Sequence, residues 1–215
     1  AAEALGITDK SASWGVKVLH YQLSEIFRVN PSISLYVGIF TKPNSYKFTE
    51  IKTVQNFASG RIRQMAIWCG DKAFSADDVT AIQGVADALD TENAPLSVLY
   101  APKVSAVGNM PADVAGANQC RVSVVIAQAG SGTGAELYAA EANKTTKNTV
   151  SAIGVVLGLL SLAAVHQSIG WVKNFPTGVN VPAFGDGTLY RDLDKALVEQ
   201  LDGGRYLFFV THVGQ

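Results

Sequence analysis

Gly130, Ser131, Gly132, Thr133, Gly134, Ala135 and Glu136 form the stretch of this sequence best suited to chemistry. Closely spaced glycines leave backbone N–H groups free to surround an anion. The stretch follows an apolar run and precedes helical sequence, as a phosphate-binding turn does. The details depart from the known fingerprints. A dinucleotide turn spaces its glycines G-x-G-x-x-G, and here they alternate. A Walker-type loop carries Lys-Ser/Thr after its last glycine, whereas Ala135 and Glu136 stand there, and the carboxylate repels phosphate. The loop also follows the fourth expected strand rather than the first. It therefore reads as a flexible surface or intersubunit loop. A nucleotide- or phosphate-binding α/β enzyme using Gly130, Gly132 and Gly134 is the alternative.

No other group of residues makes an active site. The three histidines, His20, His166 and His212, have no second ligand at metal spacing, and there is no H-x-x-x-H or C-x-x-C. His166, at the end of an apolar stretch, is placed to bond a nearby carbonyl. No G-x-S-x-G elbow is present. Asp186, Asp192 and Asp194 cluster near an expected helix start, where capping accounts for them. Asn143-Lys144-Thr145 is a formal glycosylation sequon with no accompanying sign of secretion. The two cysteines, Cys69 and Cys120, sit at the edges of apolar runs and read as half-buried free thiols of a reducing compartment. The expectation is no catalytic residue, no metal and no cofactor.

The elements that would carry such sites follow from periodicity. Val16, Leu19, Leu23, Ile26 and Phe27 place a helix over 14–29, ended by Asn30-Pro31. Residues 33–40, apolar between two prolines, read as a strand. Ile51, Val54 and Phe57 give a short helix closed by Ser59-Gly60. Residues 62–69 read as a strand stopped by Gly70-Asp71. Ser75 caps the next helix, with Asp77 and Asp78 at the positive end of its dipole and Val79, Ile82, Val85 and Leu89 inward. Strands are expected at 96–100, 122–127 and 206–210, with a short one at Trp171-Val172. Residues 102–119 read as a loop with one helical turn near 111–117. A long helix is expected over 150–166, a loop over 176–187, and a helix on Leu189, Leu193, Leu197 and Leu201 stopped by Gly203-Gly204.

Alternation of strand and helix predicts an α/β layered domain: a mainly parallel or mixed sheet with helices on both faces, and one domain over 1–215. No charged residue lies between Lys147 and Lys173, and Gly154 and Gly158 make a G-x-x-x-G. The apolar part is short for a membrane span, so a buried helix closely approached by another element is expected. Seventeen basic and eighteen acidic residues give a net charge of −1, which leaves no field favouring DNA or RNA. Charged residues are 16% of the chain against about 25% in an average globule. Interface cores shed charge, so the deficit fits a subunit packed on several sides. The N-terminus has no signal-peptide pattern, and both ends look cut, which predicts a piece of a longer chain.

Three segments carry a resemblance. Val18-Leu19-His20-Tyr21-Gln22, with Glu25-Ile26-Phe27-Arg28-Val29-Asn30-Pro31 and Leu35-Tyr36-Val37, resembles the start of tail-sheath proteins from contractile bacteriophage tails. Ser151-Ala152-Ile153-Gly154, running to Ala164-Val165-His166-Gln167-Ser168-Ile169-Gly170-Trp171-Val172, resembles them too. The third segment runs from Leu189-Tyr190-Arg191-Asp192-Leu193 through Gly204-Arg205-Tyr206-Leu207-Phe208 to His212-Val213-Gly214. The resemblance implies a non-enzymatic subunit of a phage tail or a related prophage injection apparatus. Its partners would be other sheath subunits, in stacked hexameric rings, and the tail tube protein, with no nucleic acid and no membrane. It would sit in the virion tail after assembly in the bacterial cytoplasm, and contraction would drive the tube through an envelope. Terminal arms adding strands between subunits would attach before Ala1 and after Gln215. The loops 130–136 and 176–187 are expected at subunit contacts, through Gly130, Gly132, Gly134, Gly185 and Gly187. Tyr206 and Phe208 are expected there too, on the strand that leads into the C-terminal arm.

Overall fold

The computed structural model of the chain describes residues 13–114, 120–142, 150–164, 166–170 and 175–211. The expected Trp171-Val172 strand, the sequon at 143–145 and His212 lie outside them.

Strand alternation builds the sheet. In β2 (Ser97–Lys103), Val98 and Tyr100 enter one buried cluster while Leu99 and Ala101 enter another on the opposite face. β1 (Gln64–Ala73) divides the same way, Met65, Ile67 and Cys69 against Ala66 and Trp68. Side chains of successive strand residues point to opposite faces, so both faces of this sheet need covering. β3 (Val122–Val125) and β6 (Tyr206–Leu207) complete a four-stranded sheet in the order β1-β2-β3-β6, every pair parallel. The fold is α/β.

One face is covered by α2 (Glu50–Phe57), α3 (Ala76–Thr91) and α6 (Lys195–Gly203), which supply Ile51, Val79, Ile82, Leu89 and Leu201 to its core. Ser75 caps α3 as its sequence predicts, its hydroxyl accepting from the Asp77 N–H at 3.2 Å. The other face is covered by α1 (Trp14–Val29) and α5 (Ile153–Leu162), through Leu23, Ile26, Val155, Val156 and Leu159. The first seven residues of α5 are all buried, so the apolar stretch is a core helix between the sheet and α1. Among the described residues no helix is long and apolar enough to cross a membrane.

Gln22 joins the two helices of that layer. It is buried on α1, its Oε1 accepts the Gly154 N–H at 2.7 Å, and its Nε2 donates to the Ser151 carbonyl. Two otherwise unpaired backbone groups at the start of α5 are satisfied by one side chain 129 and 132 positions away. The Gly-x-x-x-Gly of α5 permits the approach. A Cβ on Gly154 would stand 2.5 Å from the Gln22 carbonyl oxygen, and one on Gly158 2.8 Å from Val29 Cβ.

Several expected boundaries move. Residues 33–40 are extended but join no strand: Ile33 and Leu35 pack on the α1/α5 face, and the chain then crosses to put Tyr46 and Phe48 on the α2/α3 face. β1 does not stop at Gly70-Asp71. Gly70 takes a left-handed φ of 62°, the register with β2 shifts between Trp68 and Ala73, and the strand resumes. The apolar run 122–127 breaks at Ile126, whose N–H donates to the Leu207 carbonyl. Beyond the break, β4 (Ala127–Ala129) leaves the main sheet and pairs antiparallel with β5 (Pro182–Phe184), a strand inside the expected loop 176–187. The helix expected over 150–166 is shorter, Ile153–Leu162. The leucine series from Leu189 is not one helix. A 3-10 turn, Tyr190–Asp192, comes first, and Asp194 then caps α6 by accepting the Leu197 N–H at 2.7 Å. The last strand pairs only over Tyr206–Leu207; a 3-10 turn stands at Val107–Asn109, and the turn expected near 111–117 lies partly outside the described residues.

Gly154→Ala is expected to destabilise the fold by about 1–3 kcal/mol, the usual cost of overpacking a filled interior. Urea denaturation checks it, with Gly84→Ala as the control, because a Cβ on Gly84 of α3 would meet nothing within 4 Å.

Candidate functional site

The structure places the two loops singled out in the sequence side by side. The Gly130 N–H donates to the Val181 carbonyl at 2.7 Å, extending the β4–β5 ladder into both loops. α4 (Thr133–Ala142) starts inside the glycine-rich loop itself. Its N-cap is Gly132, held at a left-handed φ of 70° and without a side chain to cap the helix. The Glu136 N–H closes the first turn on the Gly132 carbonyl at 3.0 Å.

A cavity of about 210 Å³ opens in front of this helix end. Ser131, Gly132 and Thr133 form one rim, Gly178 and Asn180 a second, and α1 supplies Tyr21, Glu25 and Arg28 as the back wall. Arg28 reaches Glu25 through two nitrogens, the shortest contact being 2.7 Å, and also donates to the Thr177 carbonyl at 3.0 Å. That wall therefore carries no net charge. Tyr21 is only 5% exposed, and its hydroxyl lies 2.7 Å from where a Cβ on Gly134 would be. Burial, with the Glu25 carboxylate adding to it, pushes the Tyr21 phenol well above the ordinary tyrosine value, so it stays protonated.

The residues expected at subunit contacts divide by exposure. Gly132 is exposed, whereas Gly130, Gly187 and Phe208 are half-buried. Gly187 lies against the Tyr138 ring, and Phe208 meets Phe184 at 5.4 Å between ring centroids. Gly134, Gly185 and Tyr206 are buried, and the Tyr206 hydroxyl donates to the Pro111 carbonyl at 2.9 Å. These three reach another chain only through their neighbours. Asp186 behaves as a cap, accepting the N–H of Thr188 at 2.9 Å and that of Val107 at 2.5 Å. His20 is half-buried and His166 exposed. Among the described residues no group of three or more His, Cys, Asp or Glu could hold a metal ion.

A second polar centre was hidden from the sequence. Asp78 is buried beneath α3, where one carboxylate oxygen accepts from the Tyr100 hydroxyl at 2.9 Å and from Lys72 Nζ at 2.6 Å. The sequence reads Asp78 as a dipole partner only; nothing in the spacing of Lys72, Asp78 and Tyr100 marks them as a trio. Burial, with the Asp78 carboxylate next, pushes the neighbouring Cys69 thiol up to about 12 and the Tyr100 phenol further still. Through Asp78, these contacts tie β1 and β2 to α3.

A surface feature borders β1, beside whose outer edge no strand lies among the described residues. The segment 33–48 passes over that edge, since it packs on both faces and its Lys42 pairs with Asp71 of β1 at 2.8 Å. Among the described residues it makes no backbone hydrogen bond to β1. It carries Val37, Ile39 and Phe40, which are 36, 63 and 48% exposed, next to Phe57 of α2 at 80%. Tyr36 meets Phe57 edge-to-face at 6.3 Å, and Arg61 stacks over Tyr36, which ties this segment to α2.

The two thiols should separate in a labelling experiment. At pH 8, iodoacetamide should modify the exposed Cys120, leaving Cys69 intact until the chain is unfolded; mass mapping reads both. Folding raises the Cys69 value from near 9 to about 12, so its contribution to stability is complete below pH 9 and lost as pH climbs towards 12. Urea midpoints at pH 8 and 11 should therefore fall, and fall less in Cys69→Ala measured against its own pH 8 value.

No curated protein and no solved structure matches the chain. The family model described as DUF2586, N-terminal domain, matches residues 1–215, and the chain belongs to that family.

Proposed function

We propose that this chain is a structural subunit that works by binding copies of itself, of the kind found in contractile phage tail sheaths. The observation that carries this reading is the exposure of Val37, Ile39, Phe40 and Phe57 near the outer edge of β1, which no strand among the described residues pairs. Large apolar side chains gathered on a surface favour burial against a partner, and an unpaired strand edge offers directional main-chain bonds to an added strand. A second copy of the chain is the occupant that fits the low overall charge, because two weakly charged surfaces lose little hydration when they meet.

The three segments resembling sheath proteins support the same reading. The first includes most of α1 and the second includes α5, and these helices pack on one another through Gln22, Gly154 and Gly158; the third includes α6 and β6. A lattice that contracts needs a body that moves as a rigid unit between two packings, and a sheet covered on both faces provides one. In this reading subunits stack as rings around a tail tube protein in the virion tail, after assembly in the bacterial cytoplasm. The chain does no chemistry on a small molecule, and neither nucleic acid nor membrane is a partner.

Electron microscopy and sedimentation of the full-length protein test this. Tubes or stacked rings are expected. Ile39→Asp with Phe57→Asp should leave soluble monomers less stable by only about 1 kcal/mol, because both side chains are largely exposed and the Tyr36–Phe57 ring contact is lost. A full-length protein that stays monomeric at every concentration, or a double variant that assembles like the parent, overturns the reading.

A further inference from the structure

We propose that the pocket at the start of α4 binds a carboxylate group. This does not rest on the assembly reading; it concerns a different surface and stands on its own geometry.

The first observation is the helix end. The N–H groups of Thr133, Gly134 and Ala135 point out of the first turn of a ten-residue helix, and none has a partner among the described residues. Gly132, at the N-cap, has no side chain to accept from them. Of these, Thr133 and Gly134 line the cavity of about 210 Å³, at the positive end of the helix dipole.

The second observation is independent of the helix. The Tyr21 hydroxyl comes from α1, on the far side of the cavity, from a residue that is 95% buried by its 5% exposure. It has no hydrogen-bond partner among the described residues, and it is directed at Gly134. The residue lines the cavity, where a ligand oxygen can accept from its hydroxyl in place of water. The hydroxyls of Ser131 and Thr133 stand on the rim of the same cavity. Donors from α1, the loop and the helix end thus line one cavity.

The charge on the walls selects the ligand class. Arg28 is committed to Glu25 and the Thr177 carbonyl, so that pair adds no net charge. What remains is the fractional positive charge of the helix end, with Glu136 in its first turn. A singly charged, two-oxygen group suits this balance. A phosphate dianion faces Glu25 and Glu136 with no uncommitted cation in the cavity wall. The group can come from a free small carboxylate or from an Asp or Glu side chain of a second copy; the recognition chemistry is the same.

Amide NMR of the chain at pH 7, titrated with sodium acetate and with sodium chloride at matched ionic strength, tests the site. The Thr133, Gly134 and Ala135 resonances should shift saturably with acetate and not with chloride. Tyr21→Phe keeps the buried ring and should weaken acetate about tenfold, the usual worth of one hydrogen bond to a charged group. Gly134→Ala, which fills the space beside the hydroxyl, should abolish binding, and an unchanged spectrum elsewhere shows that each variant is folded. If the same resonances shift with protein concentration and acetate reverses the shift, the carboxylate comes from a second copy, and the proposal stands. Equal, unsaturated shifts in both salts overturn it, as does undiminished binding in Tyr21→Phe or inorganic phosphate binding more tightly than acetate. A monomer that binds acetate leaves this proposal standing even where the assembly reading fails.

Discussion

Gln22 holds the junction on which the layered fold depends. Its amide occupies a dry position between α1 and the first turn of α5, satisfying a carbonyl and an N–H that no water reaches. The same turn is tied to the sheet side by the Ala152 N–H, which donates to the Ala127 carbonyl at 2.8 Å. Helix, helix and strand end are therefore joined by backbone groups that would otherwise be buried unpaired, each at a cost of a few kcal/mol. An apolar residue at position 22 would fill the space and leave both groups stranded. Two glycines let the helices approach closely enough for the amide to reach. Sequence identity at three positions thus fixes how the second layer sits.

Much of the architecture was legible because burial on one side leaves a period in the sequence. α1 runs over the residues that its stripe predicts, and the Ser75 cap and the inward face of α3 are where the side chains put them. Periodicity is silent about pairing, however. Residues 33–40 have the composition of a strand but no neighbour to bond, and only the three-dimensional arrangement decides that. Likewise the run 122–127 does not announce that its last residue belongs to a different sheet. The leucines from 189 to 201 repeat every four residues, yet Asp194 accepts a backbone N–H and starts the helix afresh, a local bond that outweighs the pattern.

The site was legible only in half. Its glycines are visible as a cluster, and their disagreement with the phosphate fingerprints is equally visible. Tyr21, Glu25 and Arg28 are not, since they are spaced i, i+4 and i+7 on a helix more than a hundred positions away and look like ordinary members of its sequence. The trio of Lys72, Asp78 and Tyr100 was missed for the same reason: an acid in the first turn of a helix already has an explanation. Long-range convergence of polar groups leaves no period and no motif.

The segment that crosses the outer edge of β1 has one more consequence. Between its packed ends at Leu35 and Tyr46 it is fastened by an ion pair and ring contacts, without the ladder bonds that make a strand cooperative with its sheet. Peeling it back would sacrifice side-chain contacts alone, and the hydrogen-bonded strands beneath would remain as they are. Access to that edge is consequently governed by a small local fluctuation, separate from global unfolding. A guard of this kind protects a sticky border in the isolated molecule yet yields it readily to a better-bonded competitor.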